Sequence, residues 1–322
     1  MKLISIVVPV YNEEVNIRHF YGAVKAVMEP LPYAFELVFV DDGSTDSSRS
    51  ILRELEKEDE RVQSIFLARN SGHQLALTCG LDNADGDAVI MMDGDMQHPP
   101  ELIPTLLAEW ENGYEIVQTI RETTEGVSFV KKATSAFYYK MLNMISTVPV
   151  QPGGSDFRLM DRVAVQAFRR YREHARFIRG LVGAMGYRQK KISFVAPPRF
   201  AGVSKFSPRK MLHFALDGIL AYSTLPLRFA LYGGMICGFV SFCLFLHVLF
   251  VKYIENDAVP GWATIIGCIL FFGGFQLIIL GIMGEYIGRI FEETKGRPLY
   301  LIARGKPKDE ANGGPSAVGA RR

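Results

Sequence analysis

Two long apolar stretches set the first limit on this chain. Phe229–Val251 has His247 as its one ionisable group apart from cysteine and tyrosine, and Trp262–Met283 carries no charge. Each is longer than the roughly 20 apolar residues that cross a bilayer as a helix. A buried helical hairpin in a soluble protein is the competing reading, but two such stretches in succession exceed what a core of this size needs. The connection Lys252–Gly261 has one lysine and two acids, whereas basic residues gather before the first stretch and after the second. That bias puts both flanks on the cytoplasmic side. The predicted organisation is a cytoplasmic domain over 1–208, a juxtamembrane amphipathic helix over 209–228, spans at 229–251 and 262–284, an external loop at 252–261 and a cytoplasmic tail over 285–322. The last residues, from Gly305, are polar and glycine-containing and are expected to be disordered.

Residues 1–200 follow a different pattern. Apolar, β-branched runs at Leu3–Val8, Phe35–Val40, Val62–Leu67 and Ala88–Met92 alternate with helical segments ending near Pro30, Glu60 and Ala84. Such alternation predicts an α/β fold with helices on both faces of a parallel sheet, and ligands in these sheets lie beyond the carboxyl ends of the strands. There the sequence places Tyr11–Glu13, Asp41–Asp42, Arg69–Gly72 and Asp93–Asp95. Neither a G-x-G-x-x-G turn after the first strand nor a phosphate-binding G-x-x-x-x-G-K-S/T loop occurs. The net charge of +2 gives no reason to expect a nucleic-acid partner, and the four cysteines lack the spacing of a zinc site or a disulfide framework. The amino terminus lacks the longer apolar region and cleavage site of a signal peptide and reads as a first strand.

Within this frame Asp87–Pro100 (D-A-V-I-M-M-D-G-D-M-Q-H-P-P) carries the most chemistry. It is a buried strand followed by a sharp acidic turn. Two carboxylates separated by glycine suit a hard divalent cation that keeps water and phosphate ligands. The same composition also suits an Asx-rich surface turn. Asp41–Asp42 likewise has two readings, a receiver of ribose or base donors and a capping cluster for the next helix.

Four segments together, V-V-P-V-Y-N-E-E at Val7–Glu14, V-D-D-G-S-T-D at Val40–Asp46, R-N-S-G-H-Q at Arg69–Gln74 and M-D-G-D-M-Q-H-P-P at Met92–Pro100, resemble the inverting GT-A glycosyltransferases of family 2. The closer likeness is to the branch that loads sugars onto polyprenyl phosphates, in the style of bacterial undecaprenyl-phosphate glucosyltransferases. The motifs cover about residues 1–210, and the paired apolar stretches extend the likeness to the whole chain. The resemblance implies a GT-A domain with a Rossmann-like mixed sheet and two C-terminal transmembrane helices. It puts Pro9, Tyr11, Glu13, Asp42 and Arg69 at the nucleotide, and Asp93, Asp95 and Gln97 at Mg²⁺ or Mn²⁺ on a diphosphate. Asp93 is either a metal ligand or a ribose or supporting group.

Further along, the resemblance places Arg121 near the acceptor phosphate, with Lys131 and Lys132 as weaker candidates. In Gly153–Asp161 it gives Asp156 either a catalytic or a sugar-positioning role. A phosphate acceptor is already ionised near neutral pH and needs little general-base help. Arg158 and Asp161 could form a structural pair. The basic loop Pro197–Lys210 includes Arg199, Ser204 and Lys205, which the resemblance puts over donor diphosphate and acceptor phosphate; a patch against anionic lipid is the rival reading. The implied enzyme is metal-dependent and moves a hexose, glucose from UDP-glucose before others, onto undecaprenyl phosphate with inversion. Its partners are a UDP-sugar, the polyprenyl phosphate and the bacterial inner membrane, and the family and the membrane-helix glycines permit a homo-oligomer such as a tetramer. Another donor (mannose, galactose, N-acetylhexosamine or aminoarabinose), or a non-catalytic scaffold that keeps the fold, are the alternatives. A processive synthase is disfavoured because its Q-x-x-R-W motif is absent.

Overall fold

A computed structural model describes residues 1–122, 154–174, 176–195, 197, 225–250 and 261–304. Contacts separate the chain into two compact units. One holds the sheet and takes in the segment from Pro298 onward; the other holds the two apolar helices.

The sheet comprises β1 (Leu3–Val10), β2 (Ala34–Asp41), β3 (Val62–Leu67), β4 (Ala88–Met91), β5 (Ile116–Arg121), β6 (Gly154–Asp161), β7 (Gln189–Phe194) and β8 (Ile302–Arg304). Its spatial order is β7-β5-β6-β4-β1-β2-β3-β8. The first four strands are parallel, as their alternation with helices predicts. The sheet then becomes mixed, because β6 runs antiparallel to both β4 and β5 and β8 runs antiparallel to β3.

Strands covered on both faces need apolar side chains on both, which is why they read as continuous apolar runs. Ile4, Ile6 and Val8 point to one side, where α1 (Ile17–Met28), α2 (Ser48–Glu58) and α4 (Ile103–Glu111) close the core; α4 follows a short 3₁₀ turn at Pro100–Leu102. Val7, Val38 and Val40 point to the other, beneath α3 (His73–Asn83), α5 (Arg162–Phe168) and α6 (Ile178–Ala184). The second layer is close: a Cβ at Gly80 of α3 would overlap Val7 Cγ1. Asp161 ends β6 and caps α5 by accepting from Val163 N at 2.8 Å, while its other oxygen accepts from Trp110 Nε1 at 2.7 Å. It is therefore not the partner of Arg158.

The apolar helices are α7 (Leu225–Phe250) and α8 (Trp262–Thr294). Both contain windows long and apolar enough to cross a membrane, with only 6% and 0% of those windows buried. Phe239 and Leu277 are each 69% exposed. A core hairpin would hide such side chains, so the buried-hairpin reading fails and the pair is suited to lipid. Gly233 of α7 admits the ring of Phe275 on α8; a Cβ there would lie 2.7 Å from Phe275 Cζ. Helix α8 runs past the expected end of the second span at 284. Its 33 residues correspond to about 50 Å at 1.5 Å per residue. The expected helices at 127–145 and, before Leu225, in the juxtamembrane segment lie outside the described residues.

The segment after α8 rejoins the first unit. Ile302 pairs with Leu67 and Arg304 with Phe66, and Ala68 N donates to Leu301 O at 2.8 Å. This covers the edge of β3, which would otherwise present unpaired backbone groups. Tyr300 donates from its hydroxyl to Asp82 Oδ2 on α3 at 2.8 Å, and burial raises the tyrosine pKa. Asp82 keeps Arg172 as a partner at 2.6 Å when that bond is lost. Tyr300→Phe is thus expected to cost about 1 kcal/mol. Thermal unfolding of the full-length protein checks this as a drop of roughly 2–4 °C, with no fall if Tyr300 contributes only its ring.

Candidate functional site

The strand ends converge on one rim because β1–β4 are parallel and β6 enters reversed. β1 delivers Pro9, which pairs in register with Val40, and then Tyr11, Asn12 and Glu13. Asn12 has φ 53°, a left-handed conformation that asparagine tolerates better than most residues. Its Oδ1 accepts from Thr45 N at 2.8 Å and its own N–H donates to Ser44 Oγ at 2.9 Å, joining the ends of β1 and β2. Glu13 is tied back by Asn16 Nδ2 at 2.5 Å, and Tyr11 is 37% exposed.

The end of β2 separates the roles of its two acids. Asp41 is fully buried and receives Arg49 Nε at 2.6 Å. Asp42 accepts from Ser71 N at 2.6 Å and Gly72 N at 2.9 Å, one bond to each oxygen. It therefore shapes the turn after β3 that carries exposed Arg69. Burial raises the Asp42 pKa, against the lowering effect of those N–H groups. Gly43, at φ 76°, leaves room for that turn: a Cβ would lie 2.6 Å from Asn70 N.

The acidic turn follows β4. Asp93, Asp95 and Gln97 are half-buried. Gln97 N donates to Asp95 Oδ1 at 3.1 Å, and Met96 between them has φ 61°. A non-glycine residue in that region costs of order 1–3 kcal/mol, a strain that clusters at working sites. Two histidines flank Asp93. His73, at the start of α3, donates from Nε2 to Asp93 Oδ1 at 2.8 Å. Partial burial works against the charged imidazole, but the Asp93 bond and the nearby Asp156 charge outweigh it and raise the His73 pKa. His98 accepts from Asp93 N through Nδ1 at 2.8 Å. Burial lowers the His98 pKa despite the surrounding carboxylates. Burial opposes ionisation of Asp93 too, yet the two histidines leave its carboxyl below the usual range.

Asp156 arrives on the same rim at the start of β6. It is 6% exposed and receives Arg179 in a fork, Nε to Oδ1 at 2.9 Å and Nη2 to Oδ2 at 3.0 Å. Beneath it Arg158, wholly buried, donates from Nη2 to Asp156 Oδ1 at 3.3 Å and to Ser155 O at 2.9 Å. Arg158 Nε and Nη1 have no partner among the described residues. Taking a guanidinium out of water costs roughly several kcal/mol, and burial lowers the Arg158 pKa, with Asp156 opposing. For Asp156, burial favours the neutral acid, but the two arginines prevail and hold its carboxyl well below the usual range.

Hydrogen bonds thus join Asp42 to the turn beside Arg69, and Asp93 to His73. Arg121 stands exposed at the end of β5, opposite Phe194 of β7. Arg199, Ser204, Lys205, Lys131 and Lys132 lie outside the described residues. His73 and His98 were present in the motifs but had no assigned part. Arg179 had no sequence signal, since only the packing of α6 under the rim brings it to Asp156. Among the described residues no group of three or more His, Cys, Asp or Glu side chains is placed to hold a metal by itself.

The profile of Glycosyl transferase family 2 matches residues 5–169, which spans β1 through α5 and so every rim element above except α6. The chain belongs to glycosyl transferase family 2. Among its relatives, the glycosyltransferase YkcC of Bacillus subtilis is 42% identical over 93% of this chain and 93% of its own. The bactoprenol glucosyl transferase of Shigella phage SfV is 39% identical over 95% of this chain and 99% of its own. Of solved structures, mannosyl-3-phosphoglycerate synthase from Rubrobacter xylanophilus aligns with a TM-score of 0.51 at 17% identity, covering 72% of this chain and 75% of that one. This last likeness concerns the fold, which is GT-A with a mixed sheet. The protein is accordingly a glycosyltransferase.

The pairing of Asp156 has a pH signature. A carboxyl depressed in the folded state adds stability above its unfolded value near 4. That stability is lost as pH falls from there toward the folded value. Arg179→Ala lets Asp156 return toward its ordinary range. The variant is expected to be less stable at pH 7 by about 1–3 kcal/mol and to lose less on acidification. Thermal unfolding between pH 7 and 3 checks the sign; a wild-type slope no steeper than the variant's would contradict it.

Proposed function

We propose that this glycosyltransferase moves glucose from UDP-glucose to a polyprenyl phosphate at the membrane, with inversion at the anomeric carbon. The observation that carries this is the likeness to the phage bactoprenol glucosyl transferase, which spans nearly both whole chains, apolar helices included. The acceptor phosphate oxygen bonds to the sugar C1 while the bond from C1 to the diphosphate oxygen breaks, and UDP leaves with the electron pair. No covalent enzyme intermediate forms.

Each rim residue has a part in that displacement. Pro9, Tyr11, Glu13, Asp42 and Arg69 line the nucleotide. Asp95 and Gln97, with Asp93 held between His73 and His98, face the diphosphate. Their oxygen donors, two carboxylates and the Gln97 amide, fit Mg²⁺ or Mn²⁺, a cation whose remaining positions phosphate and water would complete. When bound, such a cation offsets charge on the leaving diphosphate. Asp95 is the more direct ligand, because His73 already occupies Asp93 Oδ1. The fork to Arg179 holds the Asp156 pKa low and makes it a weak base, so it orients a sugar hydroxyl or the acceptor rather than removing a proton. A phosphomonoester is largely ionised near pH 7 and attacks without such help. Arg121, Arg199, Ser204 and Lys205 receive the two phosphate groups.

Purified full-length protein with Mg²⁺ or Mn²⁺, undecaprenyl phosphate and UDP-glucose is expected to release UDP and yield lipid-linked glucose. Asp95→Asn should lower the rate by about 100-fold or more. Release of no nucleoside diphosphate from any of a panel of UDP- and GDP-sugars would reject the proposal.

Helices α7 and α8 cross the bacterial inner membrane, and both termini lie in the cytoplasm with the nucleotide sugar. Pairing of β8 with β3 supports this, since a strand after the second helix shares a sheet with strands before the first and the chain must cross an even number of times. A cysteine introduced near the carboxyl terminus should react with an impermeant maleimide only after spheroplasts are opened. Labelling of intact spheroplasts would refute the arrangement.

A further inference from the structure

The ladder between β4 and β6 stops short of the site. Its last rung pairs Met91 with Arg158, after Ala88–Asp161, Val89–Met160 and Ile90–Leu159. Two more rungs in the same register would set Asp93 directly opposite Asp156. Like charges directly opposite one another destabilise a strand pair, and here the strands part. Each carboxylate takes its own cation or imidazole instead, Arg179 on Asp156 and His73 on Asp93. Where the backbone pairing ends, one side chain continues the connection.

That side chain is His98, 6% exposed. Asp93 N donates to Nδ1, so the ring proton of the neutral imidazole is on Nε2. Nε2 therefore donates to Ser155 Oγ, 2.8 Å away, and the same Oγ accepts from Phe157 N at 3.2 Å. The ring stacks on Phe157 with centroids 5.2 Å apart and 20° between planes, and meets Phe194 edge-on at 6.3 Å. One ring nitrogen thus fixes the backbone of Asp93, and the other fixes the residue beside Asp156. An imidazole with both nitrogens bonded and its face packed has little freedom to turn.

We propose that His98 is a positioning residue that sets the gap between the acidic turn and Asp156, replacing the strand pairing that two facing carboxylates forbid. The inference rests on the reading of those acids as the sugar-transfer site. Its effect is on geometry: without the bridge the acidic turn and β6 move independently, and the donor bound at one is no longer aligned with groups at the other.

Three variants of the full-length protein test this, each measured for melting temperature, kcat and KM with UDP-glucose, and calorimetric affinity for UDP with Mn²⁺. His98→Phe keeps the stack and removes both hydrogen bonds. It is expected to lower kcat by about 10- to 100-fold and to weaken Mn²⁺–UDP binding severalfold at temperatures where it is fully folded. His98→Asn restores an acceptor for Asp93 N and should recover binding but not kcat. Ser155→Ala cuts the far end only and should lower kcat with binding unchanged. A purely structural histidine would lower the melting temperature alone, and wild-type kcat and affinity in the folded variants would overturn the proposal. If His98→Phe does not fold, wild-type kcat in both His98→Asn and Ser155→Ala overturns it. Should the wild-type enzyme not use UDP-glucose, the functional reading fails by itself. The affinities then decide the inference: His98→Phe weaker than wild type supports it, and equal affinity overturns it.

Discussion

The site depends on the direction of one strand. β6 runs against β4, so its first residues rather than its last reach the rim where the parallel strands end. A parallel β6 would bring Asp161 to that rim and leave Asp156 at the opposite edge. The reversal lets residues more than sixty positions apart, Asp93 and Asp156, share one rim. Continued for two more rungs, its register would set those two carboxylates opposite each other.

Much of the polar structure around the rim pairs its carboxylates. Buried or half-buried carboxylates are costly unless each is paired. Asp41 takes Arg49, Asp42 takes the N–H groups of the turn beside Arg69, Asp93 takes His73, and Asp156 takes Arg179 above and Arg158 below. Except for Arg158, which shares β6 with Asp156, each partner comes from a different element than its acid, so these pairs also tie the strand ends to neighbouring elements. The left-handed Asn12 and Met96 lie in the same ring of turns. The bonds that pair these acids also hold the rim together.

The sequence made much of this legible, and physical reasons mark where it did not. Strands buried on both faces must be apolar, so β1–β4 and their polar ends stood out. The charge-free lengths of α7 and α8 could be read without any neighbour. The resemblance singles out Asp156 but not its environment, since Arg179 approaches through the packing of α6 and no spacing records that. Asp42 was expected to face the base, and the structure adds that its oxygens first build a turn. Asp161, a conceivable partner for Arg158, proved to be a helix cap and an acceptor for Trp110. The tail after α8 looked like a plain cytoplasmic segment. Three residues form β8, too short a strand to show a pattern of its own, and only its pairing with β3 reveals it.

That final strand has a consequence for how the protein is made. Chains emerge amino terminus first, and domains begin to fold as they emerge. Seven strands of the sheet are complete before either apolar helix is synthesised, but the eighth is not available until both have been translated. Until then β3 presents an open edge, and Asp82 waits for Tyr300. The ribosome therefore delivers the sheet unfinished, and its eighth strand arrives only with both apolar helices already made. A chain that stalls within its helices leaves behind a domain with an exposed strand, a ready target for quality control.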